Sequence, residues 1–322
     1  MSSIDLALAN LTHPAILAFL LGILAVLVRS DLHIPTNAAR LLSAYLLLAI
    51  GLKGGAALVD ASPGELAGPI AATLALGAVI PIVAFLVLER WGKFSVVDAA
   101  GIAAHYGSVS AVTFAAALAF ATTVGVGPAP EAFLPALLAV LEVPGILIAL
   151  ALAQRAREGG GSLRAAVGEV LAGSSMLLLL GGIVIGAVAG DANRALVEPV
   201  FVTPFAGVLV IFLLHLGITA GHRLREVRES GVFLLGFAIL MPLAAGSLGA
   251  VIGTMAGLSV GGAAVFGAMA GSASYIAAPA AVEVSLPEAN LGHALTASLG
   301  ITFPFNLALG IPLYHSLASA LA

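Results

Sequence analysis

Gly107-Ser108-Val109-Ser110 and Gly271-Ser272-Ala273-Ser274 are two copies of one short motif, and their reading decides the fold. They stand 164 positions apart, each in the middle of an apolar segment long enough to cross a bilayer. Each copy puts a small, hydroxyl-bearing break at mid-span. Broken helices at corresponding places in two half-chains mark the binding site of many secondary transporters. The pattern points to a membrane carrier and away from a soluble enzyme.

Composition agrees. Hydrophobic residues make up 61% and charged residues 9%, with a mean hydropathy of +1.16, whereas a soluble domain carries about 25% charged residues. A helical span needs roughly 20 apolar residues. Ten segments of the 322-residue chain qualify, near 11–29, 37–59, 66–89, 97–122, 132–155, 165–189, 200–221, 231–256, 260–283 and 291–319. The expected class is an all-α polytopic membrane protein. The absence of cysteine excludes disulfides and thiolate metal sites. The net charge of −4 rests on too few charges to suggest a nucleic-acid partner. No basic residue precedes the first apolar run, so 11–29 reads as a retained helix and not a signal peptide. Loops after odd-numbered spans carry Arg29, Arg40, Arg90, Lys93, Arg155, Arg157, Arg164, Arg223, Arg225 and Arg228, against Arg194 alone on the other side. That bias places the basic loops in the cytoplasm and both termini outside the plasma (inner) membrane.

The halves echo each other beyond the doubled motif. Ile50–Gly55 (IGLKGG) in span 2 parallels Leu216–Gly221 (LGITAG) in span 7. Spans 3 and 8 carry Pro81 and Pro242, and spans 5 and 10 carry Pro144 and Pro304. Gly22 and Asp31 near the end of span 1 match Gly182 and Asp191 in span 6. Offsets stay between 160 and 166 residues. Each half holds five spans, an odd number, so the second half enters from the opposite side, the inverted repeat of alternating-access carriers. The expected division is residues 1–155, a cytoplasmic linker at 156–164 read as flexible from Gly159-Gly160-Gly161, and residues 165–322.

The chemistry follows from depth. Unwound backbone near the midplane persists only where protein or a wet cavity covers it. Two half-helices facing each other aim positive dipole ends at one point. Gly107, Ser108, Ser110, Gly271, Ser272 and Ser274 are therefore candidate ligands for a small oxyanion. The competing reading is helix packing through small residues. Glu142 lies at the centre of span 5, where an acidic side chain costs about 2.5–3.5 kcal/mol and needs a partner or a proton. Pro144 frees a carbonyl nearby. With Thr302 and Asn306 at similar depth in span 10, Glu142 makes a candidate sodium site; a protonated structural carboxyl and a proton relay are the alternatives. Lys53 reads as snorkelling to the outer interface. His105 lines a cavity or caps a freed carbonyl, and His215 has no obvious partner. No phosphate-cradling loop, zinc spacing or nucleophile–base pair occurs, so no organic cofactor, resident metal or enzyme activity is expected.

These residues carry a resemblance. Ile50–Gly55 (IGLKGG), Asp98–Thr113 (DAAGIAAHYGSVSAVT), Gly271–Ala281 (GSASYIAAPAA), Ser285–Asn290 (SLPEAN), Thr302–Asn306 (TFPFN) and Gly310–Tyr314 (GIPLY) resemble the sodium-dependent bicarbonate transporters of the SbtA type. The resemblance implies ten transmembrane helices as two inverted five-helix repeats, with core and gate parts, in a homotrimer. It also implies symport of sodium with bicarbonate, the anion lying near the two serine breaks. Cyanobacterial members are restrained by a small PII-like protein, but the central linker is short in this chain. Two further readings stand beside it: a sodium/proton antiporter or carrier of another small anion, and a membrane sensor or scaffold for a soluble PII-like regulator.

Overall fold

The computed structural model describes residues 8–124, 128–155 and 163–322. The expected linker falls almost wholly at 156–162, outside the described residues. The chain is all-helical, with 84% helix and no strands among the described residues. The first half contributes α1 (Pro14–Leu27), α2 (Thr36–Asp60), α3 (Pro63–Arg90), α4 (Val96–Gly107), α5 (Ala111–Val124) and α6 (Leu134–Arg155). The second contributes α7 (Leu163–Ala172), α8 (Ser174–Val188), α9 (Gly190–Phe201), α10 (Phe205–His222), α11 (Leu224–Glu229), α12 (Gly231–Met255), α13 (Val260–Ala270) and α14 (Ala277–Ser285). The last span opens with α15 (Leu291–Leu295) and alternates π-helical stretches, Thr296–Thr302 and Asn306–Gly310, with α16 (Phe303–Phe305) and α17 (Ile311–Leu321).

Local chemistry sets the helix starts. Pro14 and Pro63 sit in the first turns of α1 and α3, where the missing N–H leaves no bond unmade. Ser62 and Glu65 close a capping box on α3. Ser95 and Ser259 cap α4 and α13 through bonds from Asp98 N–H (3.1 Å) and Gly262 N–H (3.0 Å).

Among the described residues, seven helices are long and apolar enough to cross a membrane. The segments expected at 11–29, 165–189 and 260–283 instead yield shorter apolar helices of 14, 15 and 11 residues. At 1.5 Å per residue these reach only about 16–23 Å, less than a bilayer core of about 30 Å. Each is interrupted, at His13, at Gly173 or after Ala270, and continues as a separate helical piece on the far side. Small residues and proline break the ladder at those points, which hydropathy alone does not register.

Two helix pairs pack through glycine. α1 lies against α10, where a Cβ on Gly22 or Gly217 would collide with the other helix's backbone. α2 lies against α8 in the same way at Gly51, Gly55, Gly182 and Gly186. Close backbone approach of this kind is what joins helices in lipid, where burial of apolar surface gives no drive. The remaining long helices form two clusters, α3 with α4 and α6, and α12 with α13 and α17. α13 also packs on α5, joining the clusters near the two motifs.

Candidate functional site

α4 stops at Gly107, Ser108 turns extended (φ −97°, ψ 178°), and α5 restarts at Ala111. α13 stops at Ala270 and the chain stays non-helical through Ile276 before α14. The two breaks are bonded to each other. Ser110 N–H donates to Ser272 Oγ (2.9 Å), and Ser274 N–H donates to the His105 carbonyl (2.7 Å). Freed backbone groups of one break are thus satisfied by the other, which is how unwound chain survives at this depth. α6 is drawn against the first break, because a Cβ on Gly145 or Gly107 would overlap the other's backbone.

The serines are not equivalent. Ser110 Oγ accepts Thr113 N–H (3.1 Å) and caps α5; Ser274 Oγ accepts Ala277 and Ala278 N–H (both 3.3 Å) and caps α14. A hydroxyl carries one proton and two lone pairs, so Ser110 keeps a proton and one lone pair free, whereas Ser274 keeps only its proton. Ser108 Oγ is buried with no partner at all. Ser272 is different: its hydroxyl donates to the Met269 carbonyl (2.8 Å) and accepts from Ser110, so it ties the breaks together.

Ser110 and Ser274 line one small pocket with Val109, Glu142, Ser175 and Tyr275. Its free volume is about 10 Å³, room for the centre of one water or small ion. Glu142 is 4% exposed and makes no ion pair or hydrogen bond to the described residues. None of the lining residues is Lys, Arg or His. A lone carboxyl therefore faces two hydroxyls whose protons are free, with no basic side chain beside it.

Thr302 and Asn306 do not join this group. Thr302 Oγ1 bonds the Ala238 carbonyl (2.6 Å) and the Tyr106 hydroxyl (2.7 Å). Asn306 Nδ2 donates to the Gly271 carbonyl (2.8 Å), while its Oδ1 accepts from Tyr314 (3.0 Å), whose hydroxyl also reaches Pro242 O (2.8 Å). Both are fully buried with their polar atoms taken up. Separated by one helical turn, they share the face turned toward α12 and the second break. Depth along a span, which is all sequence gives, does not fix that facing. His105 Nδ1 bonds the Gly101 carbonyl (2.7 Å).

Two larger cavities flank the site. One, of about 720 Å³, is lined by His13, Ile50, Lys53, Glu131 and Phe205; Lys53 Nζ stands 5.4 Å from the centre of the Phe205 ring. The other, of about 520 Å³, is lined by Arg40, Ser43, Leu47, His215 and Tyr275. Tyr106, Tyr275 and Tyr314 escaped sequence reasoning as site residues, although Tyr106 and Tyr275 directly flank the motifs.

By class this is a multi-pass helical membrane protein whose two broken segments meet beside a buried carboxyl. The particular family follows from comparison. A family model described as the Na+-dependent bicarbonate transporter superfamily matches residues 14–319, nearly the whole chain, and the chain belongs to that family. Transport, sodium as coupling ion and bicarbonate as cargo are the family's properties. No curated protein matches the chain.

Proposed function

We propose that this chain is a symporter that imports bicarbonate with sodium across the plasma membrane, holding both ions where the two breaks meet. The observation that carries the reading is Glu142, without a bond to the described residues, in one small pocket with the Ser110 and Ser274 hydroxyls, whose protons are free. Sodium binds the Glu142 carboxylate and the spare lone pair of Ser110. Bicarbonate accepts hydrogen bonds from the Ser110 and Ser274 hydroxyls, and the neighbouring Ser108, outside the pocket lining, reaches it only once the breaks part. Without sodium an anion there would face a bare carboxylate, and no basic residue of the lining offsets it. Coupling is then electrostatic: the cation supplies the charge that the site lacks. Thr302 and Asn306 act by fixing span 10 and Gly271 in place, and Ser272 by joining the breaks. Loading a four-atom oxyanion requires the breaks to part, since the small pocket holds one small centre.

We further propose ten membrane-crossing segments in two inverted five-helix repeats, 1–155 and 165–322. Supporting this, the α1–α10 contact at Gly22 and Gly217 and the α8–α2 contact at Gly182 and Gly51 exchange under offsets of 160 and 166. The caps Ser95 and Ser259 differ by 164, as the motifs do. The basic-loop bias assigns the Lys53 cavity to the outside and the Arg40 cavity to the cytoplasm. One sodium entering across 100 mV gains about 2.3 kcal/mol and one bicarbonate loses as much. One-to-one symport is therefore electrically neutral, and a tenfold sodium gradient supports about tenfold accumulation.

The test is labelled bicarbonate uptake by proteoliposomes under an inward sodium gradient against matched potassium. Uptake with sodium alone is expected. Equal uptake in potassium removes the coupling, and none in either removes bicarbonate as the cargo.

A further inference from the structure

Resting on the site proposed above, we propose that Tyr275 is its cytoplasmic gate: the ring closes the ion cavity, and the hydroxyl is the donor that meets the anion as it leaves. The cavity between the breaks shares Leu47, Ser175, Tyr275 and Ile276 with the Arg40 cavity and no residue with the Lys53 cavity. The barrier toward the Arg40 side is therefore one residue thick. A second space of about 10 Å³, lined by Ser43, Leu46, Leu47, Ile50, Val112 and Phe212, shares four residues with the Arg40 cavity and only Ile50 with the Lys53 cavity, so the thicker packing lies toward the Lys53 side.

Of the four shared residues, only Tyr275 combines a bulky ring with a long polar tip. Its ring rests edge-on against Phe303, centroids 5.4 Å apart. Its hydroxyl is buried facing Ser110 without a well-formed hydrogen bond. A buried hydroxyl left unpaired is destabilising, and an oxyanion beside Ser110 gives it a partner. Tyr275 also sits on non-helical chain, where its counterpart 164 positions earlier, Ala111, is already in α5. A tyrosine on unwound backbone can swing without dragging a helix; an alanine held in one offers no gate. The first break accordingly has no such residue at the matching position.

The chain has no cysteine, so one introduced thiol reports alone. Val109 lines the ion cavity but neither large one. Val109→Cys in inside-out vesicles is treated with a membrane-impermeant, negatively charged thiosulfonate, in the Tyr275, Tyr275→Phe and Tyr275→Val backgrounds. With Tyr275 or Phe the thiol labels slowly. With Val it labels about tenfold faster, equivalent to about 1.4 kcal/mol of lost closure. Tyr275→Phe alone, in sodium-driven uptake, raises the bicarbonate KM about tenfold, the worth of a hydrogen bond to a charged ligand. Equal labelling in all three backgrounds overturns the gate, and an unchanged KM in Tyr275→Phe overturns the hydroxyl's part. Labelling is read without transport, so it decides the gate even if wild-type uptake fails and the symport reading falls. Monodisperse elution of each variant confirms folding, and the phenylalanine variant preserves the ring if the valine one does not assemble.

Discussion

Glu142 in the first half and Asn306 in the second stand 164 residues apart, the same offset that separates the two Gly-Ser-x-Ser motifs. Both are buried, each on the helix that braces a break. Yet every polar atom of the Asn306 amide is engaged, with Gly271 O and the Tyr314 hydroxyl. The Glu142 carboxyl makes no bond to the described residues and looks into the ion cavity. The breaks differ likewise: three residues interrupt the helix after Gly107, whereas the chain is non-helical from Gly271 through Ile276. A shared framework has thus been finished in two ways. The second half engages its buried amide in bonds, and the first leaves a buried carboxyl without one among the described residues.

Substitutions separate stability from coupling along that line. The largest effect belongs to Gly145→Val, whose side chain would overlap the backbone of Gly107. Overpacking costs typically 1–3 kcal/mol, and rigid backbone offers no relief, so the folded yield in mild detergent should collapse. Survival of a monodisperse, active Gly145→Val protein would show that α6 does not press on the break. Next comes the contrast itself. Asn306→Ala leaves Gly271 O without a partner, while Tyr314 keeps Pro242 O, costing about 1–3 kcal/mol of stability; thermal unfolding should fall while the sodium half-saturation of uptake holds. Glu142→Gln should unfold no earlier than wild type, because it removes a buried carboxyl that has nothing to pair with. Ser274→Ala and Ser110→Ala each take away one anion donor and should raise the bicarbonate KM several-fold, whereas Ser272→Ala should lower stability before it alters KM. Smallest is Arg225→Ala: its 2.9 Å pair with Glu229 lies on the surface, and surface pairs of this kind leave stability and uptake within error.

Much of this was legible in the sequence for a physical reason. Hydropathy counts apolar residues along an axis, so the long spans such as Thr36–Asp60 and Gly231–Met255 stand within a few residues of their expected positions. Helix breaking is local chemistry, and both motifs fall at breaks as expected from Gly and Ser. What escaped depends on rotation about the helix axis and on long-range pairing. Sequence depth put Glu142, Thr302 and Asn306 at one level, but only the packed structure turns Glu142 toward Ser110 and Ser274 and the other two toward Ala238 and Gly271. The π-helical stretches flanking Phe303–Phe305 contribute to that turn, and no composition signal announces them. The tie between the breaks at Ser272 was equally hidden, since its partners, Met269 O and Ser110 N–H, include one 162 residues away.

The claim on which the rest depends is that sodium enters the site as the partner of Glu142. The direct measurement is bicarbonate uptake against sodium concentration for wild type and Glu142→Gln, in proteoliposomes matched for folded protein. The account predicts a saturable sodium response in wild type and, in the variant, residual uptake indifferent to sodium. A Glu142→Gln protein with the wild-type sodium half-saturation would contradict it.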